Sequence, residues 1–447
     1  MKIESENLIF ALDIGTRSVT GIVGRQEGEM FRLLDVETAE HGTRTMLDGQ
    51  IEDIDLVAGV AAEVKRRLSE RLKLPLGSVN VAAAGRTLKT RQGSFELELN
   101  PDDAITQETV ARLEMGAADN AAGELNEDRD RFFCVGHTVQ RYYLDDYPIA
   151  TLLEHRGSRI RAEIIATFLP REVVESLFAV VKKIGSTVES LTLEPIAALN
   201  AIIPRELMML NLALVDIGAG TSDIAVTADG SVAAYTMVTT AGDEVTEALI
   251  RTYLVDFDTA EQMKMALSDE TAKEVSFTDI LGIDYTVSAE EVKETVCPVV
   301  EELSSVVSQK ILEINGAAPS AVFLVGGGSK APGMREATAK NLGMDLSKVA
   351  VGGNNYIKKT TLSEIDLSAP EYATPIGIAI TAARYVHSEA NRITVNDRKM
   401  RLFGNGMPML DVLLSAGYTY SEIVGRVGKR TCIVIDGKRK YINGGHP

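Results

Sequence analysis

Cysteine and histidine are scarce in this chain of 447 residues. The three cysteines, Cys134, Cys297 and Cys432, lie far apart and form no C-x-x-C pair, and the five histidines show no metal-ligand spacing. A metal site built from cysteine and histidine is therefore not expected, nor is thiol redox chemistry. We expect free, buried thiols, which suit a reducing cytosol.

Basic residues and long apolar runs are also lacking. The chain has 46 lysines and arginines against 64 aspartates and glutamates, and the net charge of -18 argues against a nucleic-acid partner. No apolar run approaches the roughly 18 to 20 residues of a membrane span, and the N-terminus lacks a basic region followed by a hydrophobic core. We therefore expect a cytoplasmic protein, of about three domains at ~150 residues per domain.

The chain contains no G-x-x-x-x-G-K-[ST] motif, which excludes a P-loop. Instead, one short pattern occurs twice, as LDIGTRS at residues 12–18 and as VDIGAGTSD at residues 215–223. Each copy follows an apolar run and predicts a buried strand that ends in an acid and a tight glycine turn. Glycine lets backbone N–H groups approach a phosphate, and the Asp can face a phosphate-bound metal ion. The pair predicts two halves that clamp one nucleotide.

A third glycine turn follows the apolar run at residues 321–325. It contains Gly326, Gly327, Gly328 and Ser329, which would let bare backbone lie flat against a base or ribose. The same stretch fits G-x-G-x-x-A, a dinucleotide-binding pattern, but no acid stands at the offset that such a site needs. The paired acidic turns favour ATP over NAD.

This order of three turns resembles the actin, Hsp70 and sugar kinase superfamily of ATPases. In that superfamily the first two turns hold phosphates, the third holds adenosine, and two connecting helices cross between the halves. Residues 193–199 look like the first connecting helix and residues 374–379 look like the second.

Within the superfamily, the chain is most similar to the bacterial cell-division FtsA family. Residues 47–53, 56–72 and 79–85 resemble the first FtsA subdomain. The order of a helix at 105–118, strands at 132–143 and 160–168 and a helix at 170–184 resembles the inserted FtsA subdomain called 1C.

The resemblance implies an α/β protein with a two-lobed actin-like (ribonuclease H-like) ATPase fold, an inserted FtsA-type 1C subdomain and a small α+β C-terminal unit. It divides the chain into five segments, which are a first part of lobe I (1–85), the inserted subdomain (86–168), a second part of lobe I (169–203), lobe II (204–398) and the C-terminal unit (399–447).

Three acids are the candidate catalytic residues. Asp13 and Asp216 end strands in opposite halves, and together they would hold water ligands of Mg²⁺; alternatively, each caps its own turn. The resemblance implies that Glu194, at the start of the first connecting helix, accepts a proton from the attacking water. Glu194 also suits a purely structural role, since an acid before Pro195 complements the helix dipole. Hydrolysis is expected to be slow, and whether it occurs stays open.

The resemblance also assigns contacts with ATP or ADP. The first turn (Gly15, Thr16, Arg17 and Ser18) would contact the β-phosphate, the second turn (Gly218, Ala219, Gly220, Thr221 and Ser222) the γ-phosphate, with Gly242 nearby, and Glu261 and Lys264 the ribose and adenine. Arg17 points either to the phosphates or to solvent. Glu261 and Lys264 share a helix face, and the alternative is an exposed ion pair.

The C-terminal unit departs from FtsA, which normally ends in a membrane-anchoring amphipathic helix. Residues 431–442 predict a hairpin, because an Asp-Gly pair separates two β-prone runs. Basic residues cluster at 429–430 and 438–440, where they would either contact anionic lipid or form a solvated face. We expect membrane contact at the inner face to be indirect.

Three classes of function follow from the resemblance. The first is an ATP-switched protein that self-associates into filaments and scaffolds division or cell-envelope proteins. The second is a nucleotide-binding adaptor similar to the pilus-assembly protein PilM, without useful hydrolysis. The third is an Hsp70-like chaperone or a sugar kinase. About fifty residues after Arg398 are too few for an Hsp70 substrate domain, and no sugar pocket is evident.

Overall fold

The structure is a computed structural model. It describes residues 8–27, 30–42, 45–47, 49–85, 87–268, 271–352, 360–361, 367, 369–383, 392–396, 398–401, 409–416, 418, 423 and 430–443. All of the candidate nucleotide and catalytic residues are among them. Lys429 of the predicted basic cluster lies outside the described residues.

The first part of the chain forms most of one sheet and the helix that covers it. Its elements are β1 (Leu8–Ile14), β2 (Ser18–Glu27), β3 (Met30–Glu40), β4 (Met46–Leu47), β5 (Gln50–Ile51), α1 (Ile54–Leu72) and β6 (Ser78–Ala83). Helix α1 begins after Asp53, whose carboxylate accepts the Leu56 N–H, and ends at Lys73 in the left-handed conformation. Its apolar side packs on the sheet through Val57, Val64 and Leu68.

The inserted subdomain follows as an antiparallel sheet with one helix on it. It contains β7 (Lys89–Glu98), α2 (Gln107–Gly123), β8 (Phe132–Leu144), β9 (Tyr147–Ile149) and β10 (Arg159–Pro170), in the strand order β7-β10-β8-β9. The chain then returns to the first sheet through α3 (Arg171–Lys183), β11 (Thr187–Leu193) and α4 (Glu194–Ile202). The element order predicted for residues 105–184 is confirmed.

The second half of the chain builds a second sheet with helices around it. Its elements are β12 (Leu212–Ile217), β13 (Ser222–Ala228), β14 (Ser231–Val238), α5 (Gly242–Tyr253), α6 (Phe257–Leu267), β15 (Glu274–Thr278), β16 (Asp284–Ser288), α7 (Ala289–Asn315), β17 (Ala321–Val325), α8 (Met334–Asn341) and β18 (Val349–Val351). Helix α7 starts directly after the β15–β16 hairpin, where Ser288 accepts the Glu291 N–H.

The remaining described elements are β19 (Thr360–Thr361), α9 (Ala373–Ala383), β20 (Arg392–Val395), β21 (Arg398–Arg401), α10 (Met409–Ser415), β22 (Arg430–Ile435) and β23 (Lys438–Asn443). The predicted hairpin at 431–442 is confirmed as β22 and β23. Asp436 and Gly437 both have positive φ, at 49° and 72°, which suits a two-residue hairpin turn. Strands β20 to β23 form one sheet, with Val395, Val412 and Leu413 in its small core.

The two large sheets share one topology. The first has the order β11-β6-β1-β2-β3-β19 and the second the order β14-β13-β12-β17-β18. In each, a central strand pairs antiparallel with the next strand, that strand pairs antiparallel with the third strand of the meander, and the central strand pairs in parallel with a later strand. The duplicated sequence pattern is thus the end of the equivalent strand, β1 or β12, in two similarly built lobes. The predicted two-lobed α/β architecture is confirmed.

Two helices connect the lobes, as the sequence predicted. Helices α4 and α9 cross closely, because Gly377 lies against the backbone of Ala197, where a Cβ would come closer than 3.0 Å to the carbonyl oxygen. The Asn200 side chain donates a hydrogen bond of 3.0 Å to Thr381 at the same crossing. The core of lobe I includes apolar residues from both helices.

The cysteine prediction is partly wrong. All three cysteines are free, but only Cys134 is partly buried, whereas Cys297 on α7 and Cys432 on β22 are exposed. Both exposed thiols lie on the solvent side of elements whose opposite side packs on a core, so their apolar neighbours in sequence did not imply burial. Among the described helices, none has the length and apolar character needed to cross a bilayer.

Candidate functional site

Asp13 and Asp216, the acids of the duplicated pattern, lie close enough for their charges to interact. Burial, together with the charge of the nearby Asp216 carboxylate, raises the pKa of Asp13 to about 7. Burial also raises the pKa of Asp216. A hydrogen bond donated by the Thr374 hydroxyl partly opposes this shift, because it stabilises the charged carboxylate. The ends of β1 and β12 therefore bring one carboxyl group from each lobe together.

Two further carboxyl groups join this pair. Burial raises the pKa of Glu194 well above its usual range, and the charges of Asp13, Asp223 and Asp216 raise it further. Burial and the Asp216 charge raise the pKa of Asp223 to about 8. Four acids thus share one low-dielectric site, where each charge opposes the ionisation of its neighbours.

Asp223 is the last residue of the second copy of the pattern, but the sequence did not predict it as a site residue. It is only 2% exposed, and its Oδ1 has no hydrogen-bond partner among the described residues. Asp223 stands directly opposite Asp216 in the β12–β13 register. A signal was present, since a tight turn between two strands of one hairpin brings its flanking residues face to face.

The acids suit a magnesium ion that keeps part of its water shell better than an ion held by protein ligands alone. Carboxylate oxygens are hard ligands, and Mg²⁺ keeps several water ligands and takes others from phosphate. In the described part of the chain, no three His, Cys, Asp or Glu side chains converge tightly enough to hold an ion by themselves. The buried, unpartnered Oδ1 of Asp223 leaves an acceptor for a bound water. The residues fit an ion held through water and a ligand's phosphates.

The first two glycine turns are built alike. The Gly15 N–H donates to the Ser18 carbonyl at 3.0 Å, and the Gly218 N–H donates to the Thr221 carbonyl at 2.9 Å. His41 stabilises the first turn, because its backbone N–H donates to the Arg17 carbonyl at 3.0 Å. The repeated geometry supports the same role for both turns.

The second turn lies against the N-terminus of α5. The Gly242 N–H donates to the Gly218 carbonyl at 3.0 Å, and the Asp243 N–H donates to the Ala219 carbonyl at 2.8 Å. This end of α5 carries a positive partial charge, which favours an anion nearby. Ser222, by contrast, is fully buried and donates to the Thr240 carbonyl at 2.7 Å, so its hydroxyl is engaged within the fold.

The third turn packs against the second. Gly326 has a φ of 78°, and a Cβ there would come closer than 3.0 Å to the Asp216 carboxylate, so only glycine fits. The Ser329 hydroxyl donates to the Gly326 carbonyl at 2.7 Å and braces the loop. Gly327 has open space beside it. The sheet order brings the second and third turns to the same edge of the lobe II sheet, since β17 pairs in parallel with β12.

Glu261 and Lys264 form an ion pair that is mostly buried, with side chains 12% and 18% exposed and a separation of 2.6 Å. Lys264 also donates to the Thr246 hydroxyl at 2.7 Å and to the Gly242 carbonyl at 3.1 Å. Burial lowers the pKa of Lys264 to about 8. The pair therefore ties α6 to the start of α5, and it is not an exposed helix decoration.

Arg17 crosses from the first turn to lobe II. Its guanidinium lies 3.1 Å from the Glu261 carboxylate and 4.4 Å from the centre of the Phe257 ring. Its side chain is 28% exposed. Arg17 therefore points neither into the first turn nor freely into solvent, and it joins the lobes.

The acid cluster predicts that stability falls with rising pH when magnesium is removed. Unfolded Asp13 and Asp223 lose their protons near 3.8, whereas the folded groups keep them until about 7 and about 8. Between these values the native state binds more protons, so the free energy of unfolding should fall by about 1.4 kcal/mol per pH unit for each retained proton. Urea unfolding in EDTA at several values from about pH 5 to about pH 8 measures this slope.

Asp223→Asn should flatten that slope and make the protein more stable than wild type at about pH 8, because one buried acid is gone. Asp284→Asn, which changes an exposed acid of β16, is the matched control and should leave the slope unchanged. A wild-type protein whose stability is constant or rises over this range contradicts the prediction.

The family model and the curated relatives both indicate similarity to FtsA. The family model described as "Cell division protein FtsA" matches residues 213–377, which include the second turn, α5, α6 and the third turn. Cell division protein FtsA of Bacillus subtilis is 22% identical over 409 residues, covering 87% of this chain and 86% of that protein. Cell division protein FtsA of Pseudomonas aeruginosa is 23% identical over 353 residues, covering 75% of this chain and 81% of that protein.

Among solved structures, the PilM-PilN type IV pilus biogenesis complex matches with a TM-score of 0.58 and 16% identity, covering 86% of this chain and 99% of that chain. This likeness shows the shared fold. The family match and the repeated sheet topology lead to one conclusion. The chain is similar to the cell division protein FtsA over most of its length, and it shares its two-lobed α/β fold with the matched chain of the PilM-PilN complex.

Proposed function

We propose that the chain binds ATP or ADP together with Mg²⁺ in the cleft between its two lobes. The observation that carries the proposal is the convergence of Asp13, Asp216, Asp223 and Glu194 beside two matching glycine turns. Four carboxyl groups at one low-dielectric site are unfavourable without a cation, and a phosphate-bound magnesium ion would offset their repulsion. A fluorescent ATP analogue titrated with Mg²⁺ and with EDTA tests the proposal, which fails if the protein retains no nucleotide in either condition.

Each residue has a role in this proposal. When bound, Mg²⁺ neutralises phosphate charge and fixes the phosphate geometry. Asp13 and Asp216 would orient its water ligands from opposite lobes. Glu194, at the N-terminus of α4, would orient a water near the terminal phosphate, and it would accept that water's proton only in its ionised form, which its raised pKa disfavours. We expect slow hydrolysis or none, because positioning rather than strong base catalysis would dominate.

The FtsA relatives are named as cell division proteins, and we extend that role to this chain. We propose that it works in the cytoplasm at the inner face of the membrane, where it scaffolds division or envelope proteins and reaches the lipid through them. The five-segment division of the chain belongs to this proposal. Three strands depart from its boundaries: β10 continues past residue 168, β21 spans residues 398 and 399, and β19, from the segment 204–398, pairs with β3 of lobe I.

Exposed apolar residues at two ends of lobe II support self-association. One group, the hairpin end, surrounds the β15–β16 turn and consists of Leu254, Ile280, Leu281, Ile283 and Tyr285. The other group, the base, precedes β12 and consists of Leu207, Met209 and Leu210. Leu281 is 73% exposed and Met209 is 64% exposed. Clustered apolar exposure of this kind marks interaction surfaces.

Helix α7 separates the two groups. It begins directly after β16 at the hairpin end, and its last residue, Asn315, exchanges side-chain hydrogen bonds with Asn211 beside the base. Its 27 residues make the helix about 40 Å long at ~1.5 Å per residue. A contact between the hairpin end of one copy and the base of the next is heterologous, and repetition of such a contact builds a filament.

Leu281→Glu and Met209→Glu should each abolish Mg-ATP-dependent pelleting, because each places a charge in one half of the contact. Both side chains are exposed, so the fold should survive. An equimolar mixture of the two variants should form dimers and no longer species, since each dimer has one intact contact and two blocked ends. Sedimentation velocity measures this outcome.

Leu346→Glu, at an exposed leucine outside both groups, is the matched control and should pellet like wild type. Wild-type protein that stays monomeric with Mg-ATP and with ADP would favour the non-polymerising adaptor over the filament. Variants that pellet normally would place the contact elsewhere.

A further inference from the structure

The two lobes are tied across the cleft by a contact that the nucleotide chemistry does not require. Arg17 belongs to the first turn of lobe I, and its guanidinium pairs with Glu261 at 3.1 Å and lies over the Phe257 ring at 4.4 Å. Both partners are on α6 in lobe II. The contact joins residues more than two hundred positions apart in sequence, one in a turn of lobe I and two on a helix of lobe II.

Glu261 does not need Arg17 for neutralisation. Lys264 already pairs with the same carboxylate at 2.6 Å, and the Thr246 hydroxyl also donates to it. Two cations therefore share one carboxylate, and Arg17 lowers the pKa of Lys264 by charge repulsion. The cost of a second cation is balanced by cation–π stacking on Phe257 and by partial solvation of the guanidinium.

A contact of this strength can open and close. Partly exposed ion pairs and cation–π contacts each stabilise weakly, so together they slow the separation of two lobes without locking them. Any nucleotide held between the first turn and α6 would lie beneath this contact. Its exit requires the lobes to part, which breaks the Arg17 pair.

We propose that Arg17, Glu261 and Phe257 form a strap across the cleft, and that the opening of this strap limits the release of nucleotide. The proposal rests on the proposed nucleotide site and assigns a regulator of exchange within it. Arg17 acts here as a positioning residue, because it sets the spacing of the lobes and not the chemistry of the phosphates.

Release of a fluorescent ADP analogue, chased with ATP in a stopped-flow instrument, tests the strap. Arg17→Gln should speed release roughly 5- to 20-fold, because it removes both the ion pair and the cation–π contact. Phe257→Leu should speed release by a smaller factor, because it removes only the cation–π contact. Arg17→Lys should release the analogue at a rate between those of wild type and Arg17→Gln, since lysine keeps the charge but loses the planar stacking. Raising salt from about 50 mM to about 500 mM should speed release from wild type but not from Arg17→Gln.

Arg251→Gln is the matched control, since Arg251 pairs with Glu247 at 2.8 Å within α5 and does not cross the cleft. It should leave release unchanged. A fluorescent AMP analogue separates the strap from direct phosphate binding by Arg17. The strap predicts equal acceleration for ADP and AMP analogues, whereas acceleration confined to the ADP analogue, or absent from both, overturns it.

Hydrogen exchange of the nucleotide-free protein keeps this inference separate from the proposed function. Arg17→Gln should speed amide exchange in the first turns of α6, and Arg251→Gln should not. If no nucleotide binds at all, the proposed function fails while faster exchange in Arg17→Gln still supports the strap. Unchanged exchange in Arg17→Gln overturns the strap, whether or not nucleotide binds.

Discussion

Asp216→Asn is expected to lower the affinity for Mg-ATP by about 100-fold and to remove its dependence on Mg²⁺. Asp216 raises the pKa of Asp13, Glu194 and Asp223, so its charge reaches every other acid of the cluster. Asparagine keeps the size and still accepts the Thr374 hydroxyl hydrogen bond, but it removes the negative charge that orients water on the metal ion.

Calorimetry with Mg-ATP and with ATP in EDTA measures both effects. Asp229→Asn is the matched control, because Asp229 lies in the same lobe, in the β13–β14 turn, and its side chain is 79% exposed. The control should bind Mg-ATP like wild type. An Asp216→Asn protein that is folded and retains wild-type Mg-ATP affinity would contradict the site assignment.

The dominance of Asp216 reflects an asymmetry between the two halves. The lobes share a topology and a turn geometry, but the residue opposite Asp13 in the β1–β2 register is Thr20, whereas the residue opposite Asp216 is Asp223. Thr374, from the second connecting helix, also binds Asp216. Lobe II therefore carries more of the charge that a metal ion and its water would meet, and lobe I contributes Asp13 and Glu194.

Much of the architecture was predictable from the chain alone. Strands that end in an acid and glycine, at 8–14 and 212–217, are signalled by short apolar runs with a turn residue after them. The inserted subdomain and the connecting helices followed from element order and from resemblance. These features depend on local pattern, which sequence records directly.

The missed features depend on tertiary contacts. Thr374 binds an acid 158 residues away, and nothing in its own surroundings marks it. The path of Arg17 was left open, because a turn residue can face phosphate, solvent or another lobe, and only the packing of α6 decides. Ser222 was predicted from its place in the motif, but strand alternation buries its hydroxyl.

Gly377→Ala is expected to cost more than about 3 kcal/mol of unfolding free energy, the largest effect on stability among these predictions. The added Cβ would overlap the carbonyl group of Ala197, which belongs to the backbone of α4 and cannot rotate away as a side chain can. Helices α4 and α9 would have to separate, and their apolar contacts with the core of lobe I would loosen. Urea unfolding followed by circular dichroism measures the loss.

Gly59→Ala is the matched control, because Gly59 is also a helical glycine, in α1, but has no atom within 4 Å of an added Cβ. Alanine there should be neutral or should stabilise the protein by about 0.5–1 kcal/mol, through higher helix propensity. The connecting helices also set the spacing of the lobes, so a folded fraction of Gly377→Ala should hold Mg-ATP more weakly than wild type. If Gly377→Ala unfolded at the same urea concentration as Gly59→Ala, helices α4 and α9 would have room for a Cβ at their crossing, and the prediction would be wrong.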